Sequence, residues 1–281
     1  MRFPFSVSLL VMVVLLDNAN AGLMVYESFD YTPGTRPGTG GSGWKQAWGS
    51  DPLETTTYGL VYADGNGNAL QVAGNASTRL STGSTQVEAV RDFQMELIDT
   101  FWFSLLIKGA SGNETVSLGI NESFYIGQGA KDVKSADFGL YDADKTQLSG
   151  GGLVSLTECS LFVGRALYDQ SQDKFSQLNV WHNPVLDVQP SVSDASIFYS
   201  GAIKEFDKVP KIAVYHTSDL GALDEIRFGE SFSDVTAFTS AGPAAVPEPA
   251  TVVIMGTLLP LTLLMRRRRA LSLAGHCPDS I

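Results

Sequence analysis

Phe101–Ile107, with the sequence FWFSLLI, is the stretch that decides the fold. Ser104 is the one polar residue in this run. A short apolar run without polar alternation is typical of a strand that is buried on both faces. We therefore predict a strand here with protein packed on each side of it.

The sequence around this run predicts further strands. Between Thr115 and Ile120, apolar residues alternate with polar or small ones, which is the period of a strand. Other apolar segments of strand length occur at Phe124–Ile126, Leu161–Leu167, Leu178–Trp181, Ile212–Tyr215 and Leu223–Phe228. Turn residues separate them at the short intervals that are typical of an all-β sandwich.

The connecting segments carry turn chemistry. Leu60–Tyr62 and Ala69–Val72 flank Asp64–Asn68, whose Asp, Gly and Asn residues predict a hairpin. Gly34–Gly43 is rich in Gly, Pro and Thr and is predicted to be a loop. A short helix is predicted only near Gln86–Leu97.

The charge of the chain restricts its partners. Residues 22–246 contain 14 basic and 27 acidic residues, so this body has a net charge of −13. We expect it to be repelled by nucleic acid and by anionic lipid, and predict no nucleic-acid partner. The charge also fits a simple role in solubility. Cys159, which precedes the apolar Leu161–Val163, is predicted to be a core or strand-edge residue.

The N-terminus has the features of a secretory signal. Arg2 is followed by an apolar run, Phe3–Leu16, and the cleavage site is formed by Ala19 and Ala21 with Gly22 as the new terminus. These features occur in the order that a signal peptide requires. The alternative is a short buried helix or strand that starts the domain.

The C-terminus contains a motif of three parts. Pro247, Glu248 and Pro249 precede an apolar run, Ala250–Met265, and the run is followed by Arg266, Arg267, Arg268 and Arg269. Arginines beside an apolar run stay on the cytoplasmic side of a membrane. The tail resembles the PEP-CTERM sorting signal, and this resemblance implies recognition and removal by an exosortase-type enzyme during export. A plain tail anchor is the alternative, because Ala270–Ile281 extends beyond the usual end of the signal.

A second resemblance covers residues 25–236. It rests on Tyr26–Tyr31, Gly43–Trp44, Leu161–Arg165, Asn179–Pro184, Leu223–Gly229 and Ser231–Val235. These segments resemble the concanavalin-like, laminin-G-like jelly rolls that often precede PEP-CTERM tails. The resemblance implies two antiparallel sheets packed face to face, in a family that includes carbohydrate-binding modules and some glycosidases.

The sequence contains no motif that predicts catalysis. An E-x-D-x-E triplet, which would place paired carboxylates on one face of a strand, is absent, and so is G-x-S-x-G. Asp224 and Glu225 are adjacent, so we expect them to point to opposite faces of a strand. His182 and His216 are the histidines of the body and suggest structural roles. We therefore predict no catalytic residue, although acids from distant strands remain an alternative.

Five aromatic residues are candidates for a sugar-binding platform. They are Trp44, Trp48 and Trp181, together with Tyr58 and Tyr62. Packing in the core is the alternative for each of them. Asp64–Asn68 offers oxygen ligands at alternate positions, as calcium requires, but the same residues suit any tight turn. No cofactor is therefore predicted, and a calcium ion cannot be located from the sequence.

These observations give one organisation. We predict a signal peptide at 1–21, a β-sandwich at 22–240, a linker with the Pro-Glu-Pro motif at 241–249, a transmembrane segment with its arginine cluster at 250–269 and a cytoplasmic tail at 270–281. The predicted function is that of an exported, non-enzymatic surface or extracellular-matrix protein with lectin-like binding of exopolysaccharide. The secretion machinery and an exosortase are its predicted partners. A matrix protein without a ligand and a glycan-active hydrolase are the alternatives.

Overall fold

The computed structural model describes residues 22–49, 53–79, 86–97, 99–150, 158–194, 197–206 and 210–240. Four predicted segments lie outside these ranges. They are the signal peptide with Ala19 and Ala21, the Pro-Glu-Pro linker, the transmembrane segment with Arg266–Arg269 and the tail 270–281. Their assignments stay predictions. No helix in the described ranges combines the length and apolar character needed to cross a membrane.

The regular secondary structure of the described residues is almost all strand, as the sequence predicts. Its strands are β1 (Leu23–Glu27), β2 (Leu53–Thr55), β3 (Ala69–Leu70), β4 (Ser77–Arg79), β5 (Val87–Asp92), β6 (Phe101–Lys108), β7 (Val116–Ile120), β8 (Phe124–Ala130), β9 (Val133–Asp142), β10 (Gln147–Gly150), β11 (Cys159–Asp169), β12 (Lys174–His182), β13 (Ile197–Phe206), β14 (Lys211–His216), β15 (Ala222–Gly229) and β16 (Phe238–Thr239). A single turn of helix, α1 (Phe232–Val235), precedes β16.

These strands form two large antiparallel sheets. The eight-stranded sheet has the order β13-β12-β11-β6-β15-β4-β2, with β1 paired to β15. The six-stranded sheet has the order β10-β9-β8-β7-β14-β5, and β16 pairs with β3 in a small third sheet. All of the paired strands run antiparallel.

The main core lies between the two large sheets. Phe103 and Leu105 of β6 belong to one buried cluster with Leu118 of β7 and Val214 of β14. Phe228 of β15 joins the cluster and contacts the ring of Phe103 at a centroid distance of 5.9 Å. The sheets therefore form a sandwich, which is the architecture that the strand pattern predicts.

A second apolar cluster explains why β6 is apolar on both faces. Trp102 and Leu106 lie on the other face of β6 and pack with Leu60 and Leu186 from the connecting segments. Phe232 of α1 contacts the Trp102 ring edge-on at 5.5 Å. The eight-stranded sheet is thus covered by the second sheet on one side and by connecting segments and α1 on the other.

The helix predicted near Gln86–Leu97 is wrong. Residues Val87–Asp92 form β5, in which buried and half-buried residues alternate, and β5 pairs with β14. The inward positions include Arg91, a charged residue that is 1% exposed. Because Arg91 is charged, the buried positions of β5 are not all apolar. The period of two residues that is typical of a strand therefore cannot be recognised from apolar residues alone.

Candidate functional site

A cleft opens at the junction of β6 and β11, on the side of the eight-stranded sheet that the connecting segments cover. It has a volume of about 480 Å³ and is lined by residues 58–63 together with Lys108, Glu158, Cys159 and Asn183. We call it the Tyr58 cleft. Lys108, the last residue of β6, and Cys159, the first of β11, are paired in register. The end of the buried strand therefore places a charged side chain at this opening.

Hydrogen bonds to the neighbouring layer hold the wall of the cleft. The amide of Leu60 donates to a carboxylate oxygen of Asp224 at 2.9 Å, and the hydroxyl of Tyr62 donates to the Pro184 carbonyl at 3.0 Å. The Tyr58 carbonyl accepts from the Ala76 amide at 2.9 Å. This wall is therefore fixed to the sheet by buried polar contacts.

Tyr58 and Lys108 supply the accessible chemistry. Tyr58 is 43% exposed, and the Lys108 ammonium lies 5.5 Å from the centroid of its ring. Such a contact stabilises a cation over the face of an aromatic ring. Glu158 and Asn183 are exposed at the rim. The cleft thus presents an aromatic ring, a cation, a carboxylate and an amide.

Asn183 has a fixed orientation. Its side-chain oxygen accepts a hydrogen bond from the backbone amide of Leu161 at 2.8 Å. The backbone amide of Asn183 donates in turn to the Leu161 carbonyl at 2.8 Å. The residue has φ of 50°, a left-handed conformation that asparagine tolerates better than most residues. Because the oxygen is engaged, the NH₂ group is the end that remains for other partners.

Cys159 is not a nucleophile in this cleft. Burial and, to a smaller extent, the negative charge of Asp224 raise the pKa of its thiol, Lys108 partly offsets the rise, and the resulting pKa is about 12. The thiolate is the reactive form of cysteine, so the thiol is inert at neutral pH. Its half-buried position at the start of β11 fits the predicted core or strand-edge role.

The turn at Asp64–Asn68 does not fit a calcium site. The Asp64 carboxylate accepts hydrogen bonds from the amides of Asn66, Asn68 and Leu186 and from the Asn68 side chain. Burial raises the pKa of Asp64, but these hydrogen bonds outweigh it and leave the pKa lowered. Both carboxylate oxygens of Asp64 accept hydrogen bonds from N–H groups, whose partly positive hydrogens would repel a bound cation. The described residues contain no group of three or more His, Cys, Asp and Glu side chains that could hold a metal.

Trp44 and Trp48 lie together, but around a buried ion pair rather than at the cleft. We call this the Arg91 cluster, formed by Glu27, Trp44, Trp48 and Arg91. Arg91 pairs with Glu27, and its guanidinium carbon lies 4.7 Å from the Trp44 ring centroid and 5.6 Å from that of Trp48. Trp48 is 6% exposed and donates its indole N–H to Glu27 at 2.9 Å. Core packing therefore describes Trp48, while Trp44 is half-buried.

Trp181 also lies in the core. It is fully buried and stacks on Trp102 with a centroid distance of 5.4 Å and an interplanar angle of 18°. Its indole N–H donates to the Ser191 carbonyl at 3.2 Å. Of the five aromatic candidates, the structure brings only Tyr58 and Tyr62 to the cleft.

Asp224 and Glu225 do not follow the alternation expected of a strand. Their pairing with β6 shifts register at this point, and Glu225 has φ of 52°. Asp224 accepts from the Leu60 amide, and Glu225 accepts from the Ala73 amide at 2.6 Å, so both carboxylates reach the segment between β2 and β4. The expectation that they point to opposite faces is therefore wrong, because a bulge interrupts the strand.

Both histidines have structural surroundings. His216 is fully buried, and this burial, with the nearby charge of Arg79, lowers its pKa to about 3. Burial also lowers the pKa of His182, whose Nε2 lies 3.1 Å from the Ser160 hydroxyl. Both rings are therefore neutral at physiological pH.

Lys108, Glu158 and Asn183 are the charged and amide residues of the cleft that sequence reasoning missed. One signal was available for Lys108, since a cation directly follows an apolar run that is buried on both faces. No local signal marks Asn183, because its place depends on the pairing of β11 with β12.

No protein-family model matches the chain, and no curated protein matches it. Among similar solved structures, the Ca²⁺-bound exoplasmic/lumenal domain of VIP36 has a TM-score of 0.32 at 10% identity, over 62% of this chain and 87% of that chain. The form of that domain bound to Ca²⁺ and Man3GlcNAc has a TM-score of 0.32 at 10% identity, over 58% and 81%. The carbohydrate recognition domain of Emp47p has a TM-score of 0.34 at 10% identity, over 75% and 98%. Scores this low do not establish a shared site or a shared ligand.

Proposed function

We propose that this chain is an exported, non-enzymatic surface or extracellular-matrix protein whose concanavalin-like jelly roll binds exopolysaccharide glycans at the Tyr58 cleft. The observation that carries the proposal is the half-exposed ring of Tyr58 at the mouth of a cleft with a polar rim.

The chemistry of the cleft suits a sugar. The face of an aromatic ring packs against the C–H groups of a pyranose, and amide or carboxylate groups at the edge bind its hydroxyls. A volume of about 480 Å³ falls within the range of about 300–1,000 Å³ that is usual for small-ligand sites. Tyr58 would supply the platform, and Asn183 and Glu158 would supply the hydrogen bonds.

The carboxylates support binding without hydrolysis. Glycoside hydrolysis needs two carboxyl groups that flank the scissile bond. Glu158 is the one acid among the described residues that line the cleft. Glu27, Asp224 and Glu225 are buried and accept hydrogen bonds from backbone amides. These three acids therefore have evident structural roles.

The export part of the proposal rests on the chain ends. The signal peptide ending at Ala21 and the PEP-CTERM-like tail from Pro247 to Arg269 support translocation of the body, transient anchoring and release by an exosortase. The body's net charge of −13 suits a hydrated surface matrix. Mass spectrometry of the native surface fraction tests this part, since peptides from 270–281 in the mature protein would contradict removal of the tail.

A glycan array probed with the full-length chain in mild detergent tests the binding part. We expect Tyr58→Ala to weaken binding about fivefold to tenfold, because an aromatic platform contributes about 1–1.4 kcal/mol. Met95→Ala is the matched control, since Met95 is 42% exposed and lies outside the cleft. Equal binding by the wild type and Tyr58→Ala would contradict the site. A failure of the wild type to bind any glycan would favour a matrix protein without a ligand.

A further inference from the structure

The charge of Lys108 is not neutralised within the described part of the chain. Four other lysines of the described residues pair with carboxylates, among them Lys131 with Glu88 at 3.2 Å and Lys211 with Glu122 at 3.3 Å. Among the described residues, no carboxylate lies within ion-pairing distance of Lys108. Its ammonium group instead lies over the ring of Tyr58. An ammonium group in a cleft with no ion partner is available to an anionic group of a ligand.

Asn183 offers a second donor in the same cleft. Its oxygen is held by the Leu161 amide, so its NH₂ group is the free end. Lys108 lies beside Cys159 in register, and Asn183 lies beside Leu161, two residues further along β11. Because β6 and β12 flank β11 on opposite sides, Lys108 and Asn183 enter the cleft from opposite sides of β11. With neighbouring strands about 4.8 Å apart, their backbones are separated by about 10–12 Å, so the two donors can contact different groups of one bound sugar.

Glu158 places a negative charge in the same cleft as Lys108. It is exposed at the rim, next to Cys159, and does not pair with Lys108. Solvent and salt screen a carboxylate in this position, whereas the half-buried Lys108 is screened less. Glu158 can still accept a hydrogen bond from a sugar hydroxyl.

We infer that the Tyr58 cleft is selective for acidic glycans, whose uronate carboxylate is bound by the ammonium of Lys108 while the ring packs on Tyr58 and the amide NH₂ of Asn183 donates to another oxygen of the sugar. The inference rests on the proposed function, in that it assumes that this cleft binds a glycan. It adds the class of sugar and two residues that determine specificity.

The test compares acidic and neutral forms of the same sugars. The probes are oligogalacturonates, oligomannuronates and their methyl esters, which keep the ring and remove the charge. Binding to the full-length chain is measured by titration calorimetry at low and at physiological salt. We expect at least one acid to bind roughly tenfold more tightly than its methyl ester, with a difference that shrinks as salt rises.

Four variants test whether the preference arises from the charges of the cleft or from the net charge of the chain. Lys108→Met should remove the preference for the acid, and Lys108→Arg should retain most of it. Lys45→Met removes one exposed positive charge outside the cleft and should leave the preference unchanged. Asn183→Asp keeps the oxygen that the Leu161 amide needs but replaces the donor with a negative charge, so it should weaken acid binding more than ester binding.

The outcomes distinguish this inference from the proposed function. Tyr58-dependent binding of acids and esters with equal affinity would overturn the acidic selectivity and leave the glycan site standing. Equal losses in Lys108→Met and Lys45→Met would also overturn it, since any lost positive charge would then have the same effect and the preference would not depend on the position of Lys108. If Tyr58→Ala binds every probe as the wild type does, the site itself fails.

Discussion

The Arg91 cluster and the Tyr58 cleft both place a cation over an aromatic ring, and they differ in what surrounds the cation. Arg91 is 1% exposed, pairs with Glu27 and donates to the carbonyls of Gln46 and Gly40 at 2.8 Å each. Lys108 is half-buried, has no described ion partner and lies over a ring that is 43% exposed. A cation–aromatic contact is therefore not by itself a sign of a binding site. Pairing and exposure decide whether it stabilises the fold or remains available to a ligand.

The two regions also explain why tryptophan was a poor guide to the site. Trp48 and Trp181 find acceptors for their indole N–H groups inside the protein, at Glu27 and at the Ser191 carbonyl. A large ring with a satisfied N–H is well suited to a core. Tyr58 is smaller and lies near the start of the segment that connects β2 to β3, where its ring is 43% exposed.

The largest expected effect is on the Arg91 cluster. Arg91→Met should lower the free energy of unfolding by about 3–5 kcal/mol, because it leaves the Glu27 carboxylate buried without its cation. Burial already raises the pKa of Glu27, and the hydrogen bond from Trp48 and the charge of Arg91 oppose that rise. Urea denaturation measures the change.

Lys131→Met is the control for this prediction. The Lys131–Glu88 pair at 3.2 Å is about 30% exposed on each side, so its loss should cost at most about 1 kcal/mol. If the two variants lose the same stability, the burial of the Arg91 pair does not matter energetically and the contrast between the two regions is wrong.

An intermediate effect is expected at Asp224, which holds the wall of the cleft. Burial raises its pKa well above the usual range, and the neighbouring Glu225 raises it further. The folded protein therefore binds this proton more tightly than the unfolded chain does. The resulting stabilisation is complete below the unfolded pKa of about 3.9 and is lost as pH rises through the folded pKa.

Asp224→Asn isolates this contribution. The amide cannot ionise, although it gives up one of the two acceptors that bind the amides of Leu60 and Glu225. The stability of the wild type relative to the variant should therefore be greatest at acid pH and should fall as pH rises above about 4. Thermal unfolding across this pH range measures it. A difference that is constant or grows with pH would contradict the raised pKa.

The sequence predicted the strands whose apolar pattern is strong. β6, β7 and β15 bury nearly every residue, and each was recognisable from a short apolar or alternating run. β9 was missed because Val133–Asp137 alternates between half-buried and exposed positions with charged and small residues. β5 was misassigned because one of its inward positions is Arg91, which becomes a core residue only when Glu27 neutralises it.

The cleft could be predicted only in part, for a different reason. Four separate segments form it, at 58–63, 108, 158–159 and 183, and the pairing of β6, β11 and β12 brings them together. Sequence chemistry singled out Tyr58 and Tyr62 because aromatic residues are candidates wherever they occur. Lys108 had one local signal, its place directly after an apolar run, whereas the position of Asn183 depends on long-range register, which no local pattern encodes.

The smallest expected effect is the change in stability at Lys108. Lys108→Met should change the free energy of unfolding by no more than about 0.5 kcal/mol, because no described ion pair is lost and the aliphatic stem can be replaced by the methionine side chain. A small change here is informative, since the same substitution is expected to remove acidic selectivity. Urea denaturation of Lys108→Met beside Arg91→Met makes the comparison directly. If Lys108→Met were destabilised by several kcal/mol, Lys108 would be a structural residue like Arg91, and the difference between the closed cluster and the open cleft would disappear.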